Sequence, residues 1–189
     1  MKKLSLLFLS IFMVLLCNAQ QEISFKLNKD GKFLTESGDD FIVIPFEGKS
    51  AQEIYMQLIE NINKLYKNPK EVLSTIENTS ISVFAMGCDI AYDKILGITR
   101  SGCGTYTIKI SIKDNRIRYE LPIIDKVTFG SGEHSMTVSY AYQIGTYFDK
   151  KGEVKSKRVE WVKAIENKMI KICNLIINGR KDQKEENDW

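Results

Sequence analysis

The clearest pattern along this chain is an alternation. In "TYTIKISIKDNRIRYELPI", Tyr106, Ile108, Ile110 and Ile112 alternate with Thr107, Lys109, Ser111 and Lys113. Asp114-Asn115 then turns the chain, and Ile117, Tyr119, Leu121 and Ile123 alternate with Arg118 and Glu120. Strand side chains change face at every residue, so the segment predicts a hairpin with one apolar face against a core and one face of hydroxyls and charges in water. "SMTVSYAYQI" repeats the alternation through Met136, Val138, Tyr140, Tyr142 and Ile144, and "SISVFAMG" reads as another strand. Upstream, Ile23, Phe25 and Leu27 alternate before Asp30-Gly31 and Phe33, as in a short hairpin. "FIVIPFEG" is a mostly apolar strand in which Pro45 cannot donate to a ladder, which predicts an edge strand or a bulge.

Two segments follow a helical period. "SAQE" is a capping box, in which the Ser50 hydroxyl accepts from the Glu53 amide while Glu53 reaches back. Ile54, Leu58, Ile62 and Leu65 follow on one stripe, and Asn68-Pro69 stops the helix. Towards the end, Val159, Val162, Ile165, Met169, Ile172, Cys173 and Ile176 recur at threes and fours before Gly179. The pattern predicts an α+β fold: strand, helix, four strands and helix, plus extra strands, as a curved antiparallel sheet with two helices packed on its apolar face.

This chain resembles an uncharacterised family of bacterial exported proteins, a domain of unknown function with a TBP-like fold. The resemblance rests on "FIVIPFEGKSAQEIYMQLIENI", where Gly48, Ser50, Glu53 and Tyr55 fall on the strand-to-helix pattern. It rests also on "DKILGITRSG", "IKDNRIRYEL" and "WVKAIENKMIKICNLI". "KDN" stands where the family usually has an Asp-Gly turn. The resemblance implies a fold and brings no catalytic residue with it.

Residues 1–19 run from Lys2 and Lys3 through "LSLLFLSIFMVLL" to "CNA", the order of a secretory signal peptide cleaved near Ala19. A lipoprotein reading would keep Cys17 as the lipidated residue, but Leu16 stands where that processing wants a small one. The chain is therefore expected in the periplasm or outside the cell. The expected organisation is a signal at 1–19, an N-terminal hairpin extension at 20–39, a single TBP-like domain at 40–179 and a charged tail at 180–189. No further apolar run is long enough for a transmembrane segment. Without Lys2 and Lys3, 27 basic residues become 25 against 24 acidic ones, so the net charge falls from +3 to +1. That balance gives no long-range pull towards nucleic acid or anionic lipid.

Cys88 and Cys103 bracket "DIAYDKILGITRSG". A hairpin whose strands end at the two cysteines sets them opposite each other, but leaves Ile95, Leu96 and Ile98 in a bare loop, which compact domains seldom tolerate. Reading "KILGITRS" as a strand of its own supplies the fourth strand and separates the thiols by roughly 20 Å of strand. Bridging needs alpha carbons within about 7 Å. This reading expects two separate thiols, with Cys173 a buried small hydrophobe.

The chemistry within reach is limited. His134, the single histidine, reads as a turn residue in "FGSGEHSM". Asp89 and Asp93 lack the ligand density of a calcium loop and read as turn residues. The cysteine spacing is not that of a zinc site, and Gly130 to Gly132 lacks the lysine and helix of a phosphate loop. No catalytic constellation, cofactor site or metal site is expected. Lys109, Lys113, Arg116 and Arg118 form a basic cluster on the outward sheet face beside Glu120, too modest for a DNA-binding saddle in an exported protein. Lys155, Lys157, Arg158, Lys163, Lys168 and Lys171 make the last helix basic, but Glu160 and Glu166 interrupt the cluster, so it reads as a solvated outer face and not a membrane-binding surface. Trp161 stands off the apolar stripe as a contact or packed rim residue. The expected function is an exported, non-enzymatic binding or interaction module for a protein or small-molecule partner of unknown identity, in an unknown oligomeric state. The alternative is a carrier holding an apolar small molecule or lipid between sheet and helices, with Tyr140 and Tyr142 lining the cavity.

Overall fold

The computed structural model describes residues 23–179; the expected signal segment, Cys17 and the charged tail lie outside the described residues. A hairpin of β1 (Lys26–Leu27) and β2 (Phe33–Leu34) comes first, then β3 (Phe41–Pro45) and helix α1 (Ala51–Leu65). A one-turn helix α2 (Pro69–Val72) leads into β4 (Leu73–Ile76), β5 (Ser80–Ile95), β6 (Ile98–Lys113) and β7 (Arg116–Ile124). β8 (Lys126–Phe129), β9 (Met136–Ser139) and the short helix α3 (Tyr140–Gly145) precede the closing helix α4 (Val159–Asn178). The main sheet runs β3-β7-β6-β5-β4, antiparallel throughout, with β8 pairing both β6 and β9. This is the expected α+β order of strand, helix, four strands and helix, with additional strands.

Several elements form for the reasons their residues supply. Ser50 caps α1, with its side chain accepting from the Glu53 amide while Glu53 accepts from the Ser50 amide. Ile54, Leu58 and Ile62 are buried along one stripe of that helix. Pro45 lies on β3, an edge strand hydrogen-bonded only to β7, where a missing amide is tolerated. Asn115 takes φ +64 in the β6–β7 turn, a conformation asparagine accepts readily. The alternation in β6 and β7 buries Tyr106, Ile108, Ile110, Ile112, Ile117, Tyr119 and Leu121 with α1 and α4.

Four expectations are corrected. "KILGITRS" is not a separate strand: β5 and β6 form one long hairpin that turns at Leu96-Gly97, and the fourth strand is β4. The sequence of β4, "LSTI", is too short to show a period. Second, Cys88 and Cys103 form a disulfide, with alpha carbons 3.9 Å apart. Between the pairs Gly87↔Gly104 and Ala91↔Gly102, β5 carries Cys88, Asp89 and Ile90 against Cys103 alone, so a bulge brings the two thiols together. Third, the alternation at 136–144 stops at Ser139, where α3 begins. Tyr140 is buried with its hydroxyl donating to the Ile90 carbonyl (3.0 Å), whereas Tyr142 is exposed, so the pair lines no common cavity. Fourth, Ile123 faces outward. Thr107 pairs with Ile123 but Lys109 pairs with Glu120, so β7 has one extra residue at Leu121-Pro122 and the side chains beyond it change face.

Candidate functional site: the uncovered face of the sheet

The helices cover one face of the sheet, and the other is open. Cross-strand register arranges its side chains in rows. One row runs Ile76, Ser80, Ser111, Arg118 and Val43, and the next runs Ser74, Ser82, Lys109, Glu120 and Phe41. A third runs Phe84, Thr107 and Ile123, and a fourth pairs Met86 with Thr105. The face is therefore split along its strands. Phe84, Met86 (75% exposed) and Ile123 (60%) make an apolar end, and Lys109, Lys113, Arg116 and Arg118 make a basic end that also carries Glu120 and the exposed Ile76 (65%) and Val43 (47%).

The bulge at Pro122 creates half of this apolar end, because without it Ile123 would point into the core. At the basic end Lys113 stands directly opposite Arg116, and like charges across a strand pair repel. Arg118 stacks its guanidinium 3.8 Å above the Phe41 ring, which holds it flat on the face. Val43, Ser111, Lys113, Arg116 and Arg118 border a shallow depression there.

A second depression lies beyond the apolar end, bordered by Met86, Cys103, Thr105, Lys126 and Thr128. It exists because β8 crosses very close to β6. A Cβ on Gly104 would sit 2.3 Å from the Lys126 carbonyl oxygen, and one on Gly102 would sit 2.5 Å from Val127 Cγ2. Only glycine allows that approach.

The other residues singled out by sequence lie elsewhere. Trp161 is half-buried, its ring 5.8 Å from Tyr92 and 5.7 Å from Tyr147, with Arg158 stacked over it at 4.0 Å. His134 ends a single 3-10 turn, Gly132–His134, as its sequence context suggests. Asp89 and Asp93 are not turn residues: both are on β5, Asp89 bonded to Lys168 (3.2 Å) and Asp93 paired through both oxygens with Arg100. Glu166 is not on a solvated helix face. It is buried, accepts from the Leu27 amide (2.9 Å) and lies 3.6 Å from Lys26 Nζ. Cys173 is buried, and burial pushes its thiol up to about 12 although the Tyr119 hydroxyl donates to Sγ. A thiol so protonated and enclosed is a packing residue and a poor nucleophile.

Among the described residues, no group of three or more His, Cys, Asp or Glu side chains is placed to hold a metal ion, and no helix is long and apolar enough to cross a membrane. The architecture is that of the TBP-like α+β proteins. Two solved structures carry that likeness: a DUF4468 family protein from Bacteroides ovatus and a TBP-like protein from Parabacteroides distasonis. The first is 13% identical with a TM-score of 0.55, over 79% of this chain and 86% of that one. The second is 14% identical with a TM-score of 0.51, over 74% and 89%. No family model and no curated protein matches the sequence. The expected resemblance therefore holds at the level of fold.

Proposed function

We propose that this chain is an exported, non-enzymatic binding module that engages its partner through the uncovered sheet face. In this reading residues 1–19 direct export, and residues 40–179 form the TBP-like unit that carries the face. The supporting observation is the division of that face: Phe84, Met86 and Ile123 at one end, Lys109, Lys113, Arg116 and Arg118 at the other. Covering a contiguous group of exposed apolar side chains removes them from water, so such a group marks a surface that a partner can occupy. Lys113 facing Arg116 likewise favours a bound anion between them. The partner that fits presents apolar groups together with a carboxylate or phosphate.

Photocrosslinking in the producing cell tests this. A crosslinking residue at Thr107, in the middle of the face, is expected to give a discrete adduct, and one at the exposed Met56 on α1 is not. Arg116→Glu with Arg118→Glu should abolish the adduct. Equal adducts at both positions, or none at Thr107, would refute the reading.

A further inference from the structure

The far end of the β5–β6 hairpin outruns every other strand. β4 pairs with β5 no further than Val83, β7 pairs with β6 no further than Tyr106, and β8 meets β6 only at Gly102 and Cys103. Residues 94–99 are all exposed and pair only with one another. They turn at Leu96-Gly97 with φ +51 and +85, the two-residue turn in which both central residues are left-handed. Asparagine, aspartate and glycine adopt that backbone cheaply, and the other non-glycine residues at positive φ among those described are Asn78, Asp89 and Asn115. Leu96 is the exception, and its side chain is 97% exposed. Its backbone conformation costs free energy and its side chain gains none by burial, and strain kept at such a position points to function.

Polarity rises row by row away from the apex. Ile95 faces Ile98, Lys94 faces Thr99, and Asp93 faces Arg100 in an ion pair. Successive rows are about 3.4 Å apart. The passage from aliphatic apex to ion pair therefore takes roughly 10 Å, comparable to the depth at which interfacial segments sit between acyl chains and headgroups. Lys94 has a stem long enough to keep its ammonium at the polar level. Three aliphatic side chains around an apex, without tryptophan, tyrosine or a free arginine, do not have the composition of a protein hot spot. They suit a fluid apolar medium, which needs no complementary pocket. The finger is also held firmly at its base. The Cys88–Cys103 disulfide crosses it, and the Tyr147 hydroxyl accepts from the Tyr92 amide (2.7 Å).

We propose that this hairpin tip is a lipid-surface insertion site, placing Ile95, Leu96 and Ile98 among acyl chains with Lys94 and Thr99 at the headgroups. The site is separate from the open sheet face and does not depend on what that face binds. The test compares the full chain, as recovered from the envelope of a producing cell, with its Leu96→Asn variant on vesicles of phosphatidylethanolamine and phosphatidylglycerol. Asparagine suits the turn, so the melting temperature should hold or rise while vesicle affinity falls about tenfold, the effect of no longer burying one leucine. In Ile98→Trp, the new indole should shift to the blue on vesicle addition and be quenched by brominated acyl chains. Vesicle binding unchanged by Leu96→Asn, or an indole that stays in water, overturns the proposal. Self-association without vesicles that Leu96→Asn abolishes also overturns it, assigning the tip to a second copy of the chain.

Discussion

Glu166 is 6% exposed on α4 and accepts the Leu27 amide, tying the first hairpin to the last helix across 139 residues of sequence. Removing the acceptor leaves a buried amide unsatisfied, so Glu166→Ala should destabilise the protein by about 2 kcal/mol in urea unfolding. Glu166→Gln keeps an acceptor oxygen and should recover part of that loss. Asp89 makes a different kind of contact. The Lys168 ammonium donates to it and holds its carboxyl below the ordinary value of 3.8, with the Ser101 hydroxyl adding to the effect. A folded-state value below the unfolded one means that the pair stabilises the fold above pH 3.8 and loses that contribution as pH falls through the depressed range. Asp89→Asn should therefore be less stable than the parent at neutral pH and converge with it in acid. Because Asp89 is solvated, added salt should narrow the neutral-pH difference. Neither partner is evident in sequence: Glu166 looks like one more helix-surface charge, and Asp89 meets Lys168 only after the β5 bulge has turned it.

Among the elements, the β5–β6 hairpin carries the largest disagreement between sequence and structure. A bare loop around Ile95, Leu96 and Ile98 is disfavoured in a compact domain, and the structure avoids it by extending both strands. What could not be seen is the turn, because Leu96-Gly97 replaces the Asn-Gly or Asp-Gly that marks such a turn, and the bulge, because no local rule forecasts extra residues at Cys88 to Ile90. Segments with long, regular periods were legible: α1 with its capping box, α4, and the hairpin through Asp114-Asn115. Short or interrupted ones were not, as with "LSTI", the reversal at Pro122, and the six residues of α3 that continue a strand-like alternation. The split of the open face was half legible, since Lys109 to Arg118 follow the alternation but Ile123 reaches the face through the Pro122 bulge. The disulfide gives this element a direct test. Closing a chain loop of its sequence separation, 15, restricts the unfolded state enough to contribute about 3 kcal/mol. Cys88→Ser with Cys103→Ser should lower the unfolding midpoint accordingly. Reductant should lower the parent's midpoint towards the variant's and leave the variant's unmoved.

On the scale of the whole molecule, the hairpin at residues 23–34 bears on where the folding unit begins. Ile23, Phe25, Leu27 and Phe33 are each nearly inaccessible, and they belong to the same apolar cluster as Ile165, Met169 and Tyr140. Phe25 and Phe33 meet edge to face with ring centroids 5.3 Å apart. Burying each such side chain contributes about 1.5–3 kcal/mol, so the four together supply roughly 6 kcal/mol or more. A domain's entire net stability is only about 5–15 kcal/mol. A chain starting at residue 40 would lose this packing, the Glu166 contact and the cover over α4, while keeping every strand of the main sheet. It is expected to be insoluble, or to retain far-ultraviolet circular dichroism without the near-ultraviolet signal of fixed aromatic packing. A truncated chain with native near-ultraviolet spectra and an unchanged unfolding midpoint would show instead that the hairpin is an appendage of a self-sufficient TBP-like unit.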